Sequence, residues 1–123
     1  MSPKNLNIYQ KERQYMFDKE SLKKLQDAIE ITEIMYEELN KKVEHAGFGN
    51  FEAICPFCKE PNRSFIFNDR YQCYHCYECK AYGDVIDYFM TAKKMTFEEA
   101  CLYLAKKYDV ELKKTPKKER MIK

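Results

Sequence analysis

The sequence predicts an α+β fold: a small antiparallel β-sheet flanked by helices, with a helical extension at its N-terminus. Three observations predict it. Short aromatic, β-prone runs lie between residues 51 and 75. Cysteines occur in pairs separated by two other residues, and a strand-forming insert lies between the first pair and the later cysteines. This is the arrangement of a zinc-ribbon-type sheet. On either side, apolar residues recur every three or four positions, as on one face of a helix.

The N-terminal extension has its clearest helical pattern from Asp18 to Val43. Its apolar positions alternate in steps of three and four: Leu22, Leu25, Ile29, Thr32, Tyr36, Leu39 and Val43. This face either covers the core of the cysteine-rich module or docks onto another protein. Gly47 and Gly49 are expected to end the helix.

Three short strands are expected in the cysteine-rich stretch, at residues 51–54, 64–67 and 71–75. Asn68 and Asp69 suit a hairpin turn between the last two strands. The sequence therefore predicts a hairpin that carries cysteines close to both of its ends.

Two helices are expected after the strands. Asp84 can cap the first helix by accepting a backbone N–H. Thr96 and Glu99 form a capping box for the second helix. The resulting organisation is an N-terminal helical extension (1–46), a zinc-binding domain (47–112) and a basic flexible tail (113–123).

Five cysteines in the central stretch compete for the four places of a tetrahedral zinc site. Cys55 and Cys58 have no rivals as the first pair. The second pair is either Cys73 with Cys76 or Cys76 with Cys79, and the residues alone leave this choice open.

Composition limits where in the cell the protein is expected and which kinds of partner it could bind. The chain has 123 residues and a formal net charge of +2, so its overall charge does not identify a nucleic-acid binder. Basic residues concentrate near the C-terminus, where residues 93–123 carry 10 basic and 5 acidic side chains. The sequence shows neither a long apolar run nor an export leader. We therefore expect a cytoplasmic protein with no membrane partner, whose cysteines bind metal rather than form disulfides.

A series of motifs accompanies the cysteines in a fixed order. They are Cys-Pro-Phe at 55–57, Ser64-Phe65, Tyr74-His75-Cys76-Tyr77 with Cys79, Gly83-Asp84-Val85-Ile86, Phe97-Glu98-Glu99-Ala100 and Leu104-Ala105. Together they resemble the N-terminal zinc-binding domain of bacterial DNA primases. The resemblance covers roughly residues 29–112 and implies an α+β zinc module.

The resemblance also implies the ligand set. Carried over by position, the ligands of one structural zinc ion are Cys55, Cys58, Cys76 and Cys79. The family has histidine where this chain has Cys58. Zinc accepts either ligand, but four thiolates leave the site with one more negative charge than three thiolates and a neutral histidine.

The predicted function is recognition rather than catalysis. Four protein ligands leave zinc no open position for a reacting water. In the primases that the chain resembles, the zinc module helps to select single-stranded template beside a catalytic domain, and this chain stops before such a domain could begin. Aromatic and basic residues suited to single strands are Arg63, Arg70, Tyr71, Tyr74, Lys80, Lys113 and Lys114.

The expected partners are single-stranded DNA and a separately encoded primase, polymerase or helicase, in the setting of a phage or mobile element. An alternative from another class is a protein-interaction subunit or inhibitor of a replication enzyme. In that case the zinc site is only structural, and the N-terminal helical face makes the contact.

Overall fold

The computed structural model describes residues 16–59 and 61–114. Most of the predicted tail, and the start of the predicted extension, lie outside these residues. The helices are α1 (Lys19–Ala28), α2 (Ile31–Glu38), α3 (Val85–Ala92) and α4 (Phe97–Lys107). The strands are β1 (Glu44–Gly47), β2 (Asn50–Ala53), β3 (Phe65–Asn68), β4 (Cys73–Cys76) and β5 (Tyr82–Gly83). The predicted α+β class is confirmed.

The five strands form one antiparallel sheet in which each strand pairs with the next along the chain. Side chains alternate between the two faces of each strand. In β4, Tyr74 and Cys76 are buried on the inner face, whereas Cys73 and His75 are exposed on the outer face. This alternation decides which predicted residues are available to a partner.

The chain divides into two compact units. One unit, residues 30–95, contains α2, the sheet and α3. The other contains α1 and α4 and, among the described residues, comprises 16–29 and 96–114. The predicted division into an N-terminal extension (1–46), a zinc-binding domain (47–112) and a tail (113–123) stays a prediction.

The core of the sheet unit is aromatic. Phe57, Phe65, Tyr74 and Tyr88 form a connected cluster, with ring centroids 5.3–6.5 Å apart. Helix α2 packs on β3 and buries Ile31, Ile34 and Met35. Burying each such side chain contributes roughly 1.5–3 kcal/mol, so this cluster supplies much of the hydrophobic stability of the unit.

The N-terminal cap of α3 explains why residue 83 is glycine. Asp84 accepts from the Asp87 N–H, while the Asp87 carboxylate accepts from the Asp84 N–H. A Cβ at Gly83 would lie 2.6 Å from the Asp87 Cβ, so glycine is required for the cap to approach the strand. The predicted caps of α3 by Asp84 and of α4 by Thr96 and Glu99 are confirmed.

In the helical unit, the segment before α1 pairs with the segment after α4. The Asp18 N–H donates to the Lys113 carbonyl at 2.8 Å, and the Asp18 carboxylate caps α1 through the Ser21 N–H. The Phe17 ring is buried 6.1 Å from the ring of Phe97. The segment before α1 is therefore held to the segment after α4 by a backbone hydrogen bond and to the start of α4 by apolar contact.

The single helix expected from Asp18 to Val43 is wrong. Ile29 and Glu30 are extended, and α2 ends at Glu38, before Asn40 and Lys41 adopt φ of 53° and 65°. No glycine or proline marks either break. The start of α2 is instead stabilised by the β3–β4 turn, a contact that periodicity cannot reveal. Gly47 is expected to help end this helix, but residues 44–47 form strand β1 instead.

Gln72 is the residue of the β3–β4 turn that caps α2. Its Oε1 accepts from the Ile31 N–H at 2.7 Å, and its Nε2 donates to the Glu30 carboxylate at 3.3 Å. It thereby occupies an N–H group that the first turn of a helix leaves without an intrahelical partner.

We expect Gln72→Ala to lower the free energy of unfolding of the zinc-loaded protein by about 1 kcal/mol, because the first N–H of α2 loses its acceptor. Chemical denaturation followed by circular dichroism measures this change. Gln26→Ala, at an exposed position of α1, is the matched control and should change stability little. Equal stability of both variants would contradict the capping role.

Candidate metal centre and nucleic-acid interface

The two cysteine pairs lie in turns of the same form. The Cys55 carbonyl accepts from the Lys59 N–H at 2.9 Å, and the Cys76 carbonyl accepts from the Lys80 N–H at the same distance. Lys59 and Lys80 both have positive φ, 57° and 67°. This left-handed residue closes each Cys-x-x-Cys-Lys turn, so one local fold is used twice.

The turns bring four sulfurs together. The Sγ atoms of Cys55, Cys58, Cys76 and Cys79 all lie within 4.8 Å of one another. Cys55 Sγ is 3.8 Å from Cys79 Sγ, and Cys58 Sγ is 3.8 Å from Cys76 Sγ. A tetrahedral zinc ion with Zn–S bonds of about 2.3 Å places its sulfurs about 3.8 Å apart. The cluster therefore fits one zinc ion.

Backbone N–H groups point at two of the sulfurs. The Phe57 N–H donates to Cys55 Sγ at 3.3 Å, and the Cys79 N–H donates to Cys76 Sγ at 3.5 Å. Such hydrogen bonds stabilise negative charge on sulfur. They make the turns suited to holding thiolates rather than thiols.

The surroundings act differently on the two buried thiols. Burial raises the pKa of Cys55 to about 12. For Cys76, burial also acts to raise the pKa, but hydrogen bonds from the backbone of Cys79 and Glu78 outweigh it and lower the pKa to about 7. Four thiolates held this close, two of them buried, repel one another without a cation between them, so the donor set is suited to a divalent ion.

Cys73 does not join the cluster. It lies three residues before Cys76 in the same strand, so the two side chains point to opposite faces of the sheet. Two choices for the second cysteine pair were left open by the residues alone. In the structure it is Cys76 and Cys79 that lie beside Cys55 and Cys58. Cys101 is buried on α4, in the other unit.

The predicted role of Tyr74 has to be corrected. Predicted as a nucleic-acid contact, it is only 3% exposed and packs against Phe57, Phe65 and Tyr88. Burial raises the pKa of its hydroxyl well above the usual range, with the charges of Asp87 and Asp84 acting in the same direction. A base could stack on this ring only if the core opened, so Tyr74 belongs to the fold rather than to the surface.

The other predicted contacts of the sheet unit are on the surface. Tyr71 is 70% exposed, and the Arg70 guanidinium lies 5.7 Å from the centre of its ring. Lys80 is exposed in the second cysteine turn. Arg63 is also exposed but pairs with Glu44 at 3.4 Å, so a phosphate would have to compete with that carboxylate.

Lys113 and Lys114 belong to the helical unit. Lys114 Nζ lies 2.7 Å from the Glu98 carboxylate, while the Lys113 backbone pairs with Asp18 and Ser21. Both side chains are exposed. Their backbone is thus tied to the fold, and the Lys114 charge is already partly neutralised.

An exposed aromatic group that the predicted site omitted lies on the outer face beside the second cysteine turn. Tyr82 of β5 is 72% exposed and stands opposite His75 of β4. The His75 ring is 4.6 Å from the ring of Tyr77. Strand alternation could have found His75, because an inward Cys76 requires its neighbour to point outward.

The outer face is not uniformly suited to nucleic acid. Its central cross-strand row runs from Glu44 and Glu52 through Ile66 to His75 and Tyr82. The β1–β2 side is acidic and would repel phosphate, whereas the β4–β5 side is aromatic. The aromatic rings of this row are therefore confined to its β4–β5 side.

Comparison with known proteins identifies the module. The family model of the CHC2 zinc finger matches residues 17–120. The DNA primase of Chlamydia pneumoniae is 38% identical over 102 residues, covering 83% of this chain and 17% of that protein. The DNA primase of Escherichia coli K12 is 41% identical over 63 residues, covering 51% and 11% respectively.

A solved structure agrees with these sequences. The crystal structure of the Aquifex aeolicus primase, comprising zinc-binding and RNA polymerase domains, matches 74% of this chain and 22% of that chain. The TM-score is 0.68 and the identity is 30%. The matches to Chlamydia and Aquifex thus span about a fifth of those primases.

In residues 16–59 and 61–114, no helix is both long and apolar enough to cross a membrane. The matched family is a zinc finger, the solved structure contains a zinc-binding domain, and the four-cysteine cluster of this chain lies within the residues that the family model matches. The chain belongs to the CHC2 zinc-finger family, the zinc-binding domain of DNA primases, with a four-cysteine cluster at its metal site.

Proposed function

We propose that this chain is a non-catalytic, zinc-stabilised module that binds single-stranded DNA and assists a separately encoded primase, polymerase or helicase. One observation carries the proposal. The second cysteine turn carries two of the four clustered sulfurs, Cys76 and Cys79, together with the exposed Tyr77 and Lys80, in a fold that belongs to the primase zinc-binding domain. We place the protein in the cytoplasm, where thiolate ligands stay reduced.

The zinc ion would be held by Cys55, Cys58, Cys76 and Cys79. With four protein ligands it supplies a structural cross-link between the two cysteine turns. A cysteine binds zinc through its deprotonated thiolate. The backbone N–H groups that donate to the Cys55 and Cys76 sulfurs favour this deprotonated state. The module therefore contributes a rigid surface rather than a reacting group.

The DNA surface would be the β4–β5 side of the outer face. Tyr82, Tyr77 and His75 offer rings on which bases can stack, and Lys80 offers a cation for a backbone phosphate. Stacking is tolerant of sequence because every base has a π-face. This arrangement supports recognition of single strands rather than of a duplex operator.

Electrostatics would keep the intrinsic affinity low. The sheet carries Glu44 and Glu52 on the same face, and four thiolates around zinc leave a net negative site. Long-range attraction of phosphate is correspondingly weak. A partner enzyme bound to the same template would raise the effective affinity by holding both contacts on one strand.

The origin of the chain in a phage or mobile element stays a prediction. So does the alternative function, a subunit or inhibitor that contacts a replication enzyme through its helices. The binding experiment below separates that alternative from DNA recognition.

We expect Cys79→Ser to abolish the binding of one zinc ion per chain, whereas Cys73→Ser keeps it. Zinc binding and folding are coupled, with apparent binding energies of about 10 kcal/mol or more in small zinc domains, so the first variant should also lose its sheet. Metal analysis of purified protein and circular dichroism measure both effects. Zinc loss in Cys73→Ser would overturn the ligand assignment.

Titration of a labelled single-stranded oligonucleotide at low salt tests the DNA function through fluorescence anisotropy. The zinc-loaded protein should bind, and binding should weaken as salt rises. Tyr82→Ala should weaken it by about fivefold or more, because a stacking ring is lost.

Tyr36→Ala, which removes a half-exposed tyrosine of α2, is the matched control for Tyr82→Ala. It should bind the oligonucleotide like the unmodified chain. Absence of binding by the unmodified chain at low salt would refute DNA recognition and favour the protein-interaction alternative.

Cys58→His restores the ligand of the family pattern. We expect it to retain zinc and to strengthen oligonucleotide binding by about twofold at low salt, because the site loses one negative charge. Cys73→His is the matched control, since it adds a histidine on the outer face without changing the zinc ligands. An equal gain in both variants would show that the effect is not due to the charge of the metal site.

A further inference from the structure

The tip of the β1–β2 hairpin presents a single aromatic ring to solvent. Phe48 is 99% exposed and has a φ of 54°. Its neighbours Gly47 and Gly49 also have positive φ, 86° and 78°. The tight turn therefore consists of three left-handed residues with phenylalanine at its centre.

Neither burial nor backbone geometry accounts for phenylalanine at this position. A fully exposed ring gains nothing from the hydrophobic effect. The left-handed conformation is unfavourable for a residue with a Cβ, and glycine or asparagine would serve the turn better. The side chain at Phe48 is thus unfavourable to folding, which indicates a role in contact with another molecule.

The hairpin tip lies against the β3–β4 turn. The Asp69 N–H donates to the Gly49 carbonyl at 3.0 Å. Gly49 has a φ of 78°, and a Cβ there would lie 2.6 Å from Asp69 Oδ1, so a larger residue would strain the backbone and displace the Asp69 side chain. Phe48 thus immediately precedes the residue that bonds to Asp69, and Arg70 and Tyr71 immediately follow Asp69 in the second turn.

The second turn is held rigidly. Asn68 Oδ1 accepts from the N–H groups of Arg70 and Tyr71 at 2.8 and 2.9 Å. Both residues are exposed, and the guanidinium of Arg70 lies over the Tyr71 ring. Two neighbouring turns thus display two aromatic rings and a cation from a fixed backbone.

These turns lie at the end of the sheet away from the metal cluster. Strand β2 starts at Asn50, beside the tip, and runs toward Cys55, while β4 runs from Cys73 to Cys76. The strands have four residues, about 13 Å. A short single strand can span that distance, since single-strand sites on OB folds cover about 4–16 nucleotides.

We propose that Phe48, with Arg70 and Tyr71, forms a second single-strand contact in which the Phe48 ring stacks on a base. The proposal rests on the proposed function, since it extends the same DNA-binding role to the far end of the sheet. Its occupant is a nucleobase in a single strand.

The surroundings of Phe48 favour a base over a protein surface. Its immediate neighbours are two glycines, and the adjoining outer positions are Asn50 and Asn68, which bond to each other at 2.8 Å. Protein interfaces bury contiguous apolar patches, whereas one projecting ring beside a cation suits stacking. Asp69 opposes Arg70 electrostatically, so stacking rather than phosphate attraction should dominate here.

The chain contains no tryptophan, so Phe48→Trp introduces a unique fluorescent reporter. Adding a single-stranded oligonucleotide to the zinc-loaded variant should quench its tryptophan emission at the concentrations at which anisotropy reports binding. Tyr36→Trp places the matched reporter on α2 and should not respond. Quenching of both reporters, or of neither, while the oligonucleotide binds would overturn the proposal.

Loss of the ring tests the contribution to affinity. Phe48→Ala should weaken binding by about fivefold or more with an unchanged salt slope, because no charge is removed. Arg70→Ala should instead reduce the salt slope by about one. Phe48→Gly should keep or raise the melting temperature while weakening binding equally, which separates contact from folding.

The outcomes distinguish the two proposals. If the unmodified chain binds and Phe48→Ala binds equally well, the Phe48 contact is refuted and the proposed function stands. If the unmodified chain does not bind, both are refuted. Emission of the Phe48→Trp reporter that responds to a primase catalytic domain but not to the oligonucleotide would assign the tip to a protein partner and overturn the base contact.

Discussion

The cluster of four cysteine sulfurs is the interaction on which the sheet unit depends. Strand β2 leads into the first cysteine turn, and β4 ends at the first residue of the second. Strands of four residues bury little apolar surface, and small domains of this kind need a cross-link. A zinc ion between the turns would supply it, because metal binding energy is folding energy in such modules.

The same cross-link separates structural residues from surface residues. Cys76 must point inward to reach the cluster, so Tyr74 points inward with it and His75 points outward. The inner face becomes an aromatic core under α2, and the outer face keeps exposed side chains. A change at the metal site would therefore alter the outer face through the position of β4 as well as through charge.

Charge on the outer face is unevenly distributed. Glu44 and Glu52 occupy the β1–β2 side, and Arg63 is already paired with Glu44. The exposed rings lie on the β4–β5 side and at the hairpin tip. In the proposed function, stacking would therefore provide most of the contact with a single strand, and phosphate attraction would provide less. That balance is the one expected of the proposed module, which would work beside an enzyme that binds the template itself.

Local pattern was sufficient for the parts of this protein that short-range physics decides. The Cys-x-x-Cys spacing indicated the metal cluster, Asp84 and Thr96 marked helix starts, and the α+β class followed from periodicity. Tertiary contacts decided the rest. Gln72 stabilises the start of α2 across 41 positions of sequence, β1 is ordered by pairing with β2, and Tyr74 is buried because its strand neighbour reaches the metal. Each depends on a contact between separate elements of the fold, which the periodicity within one element cannot detect.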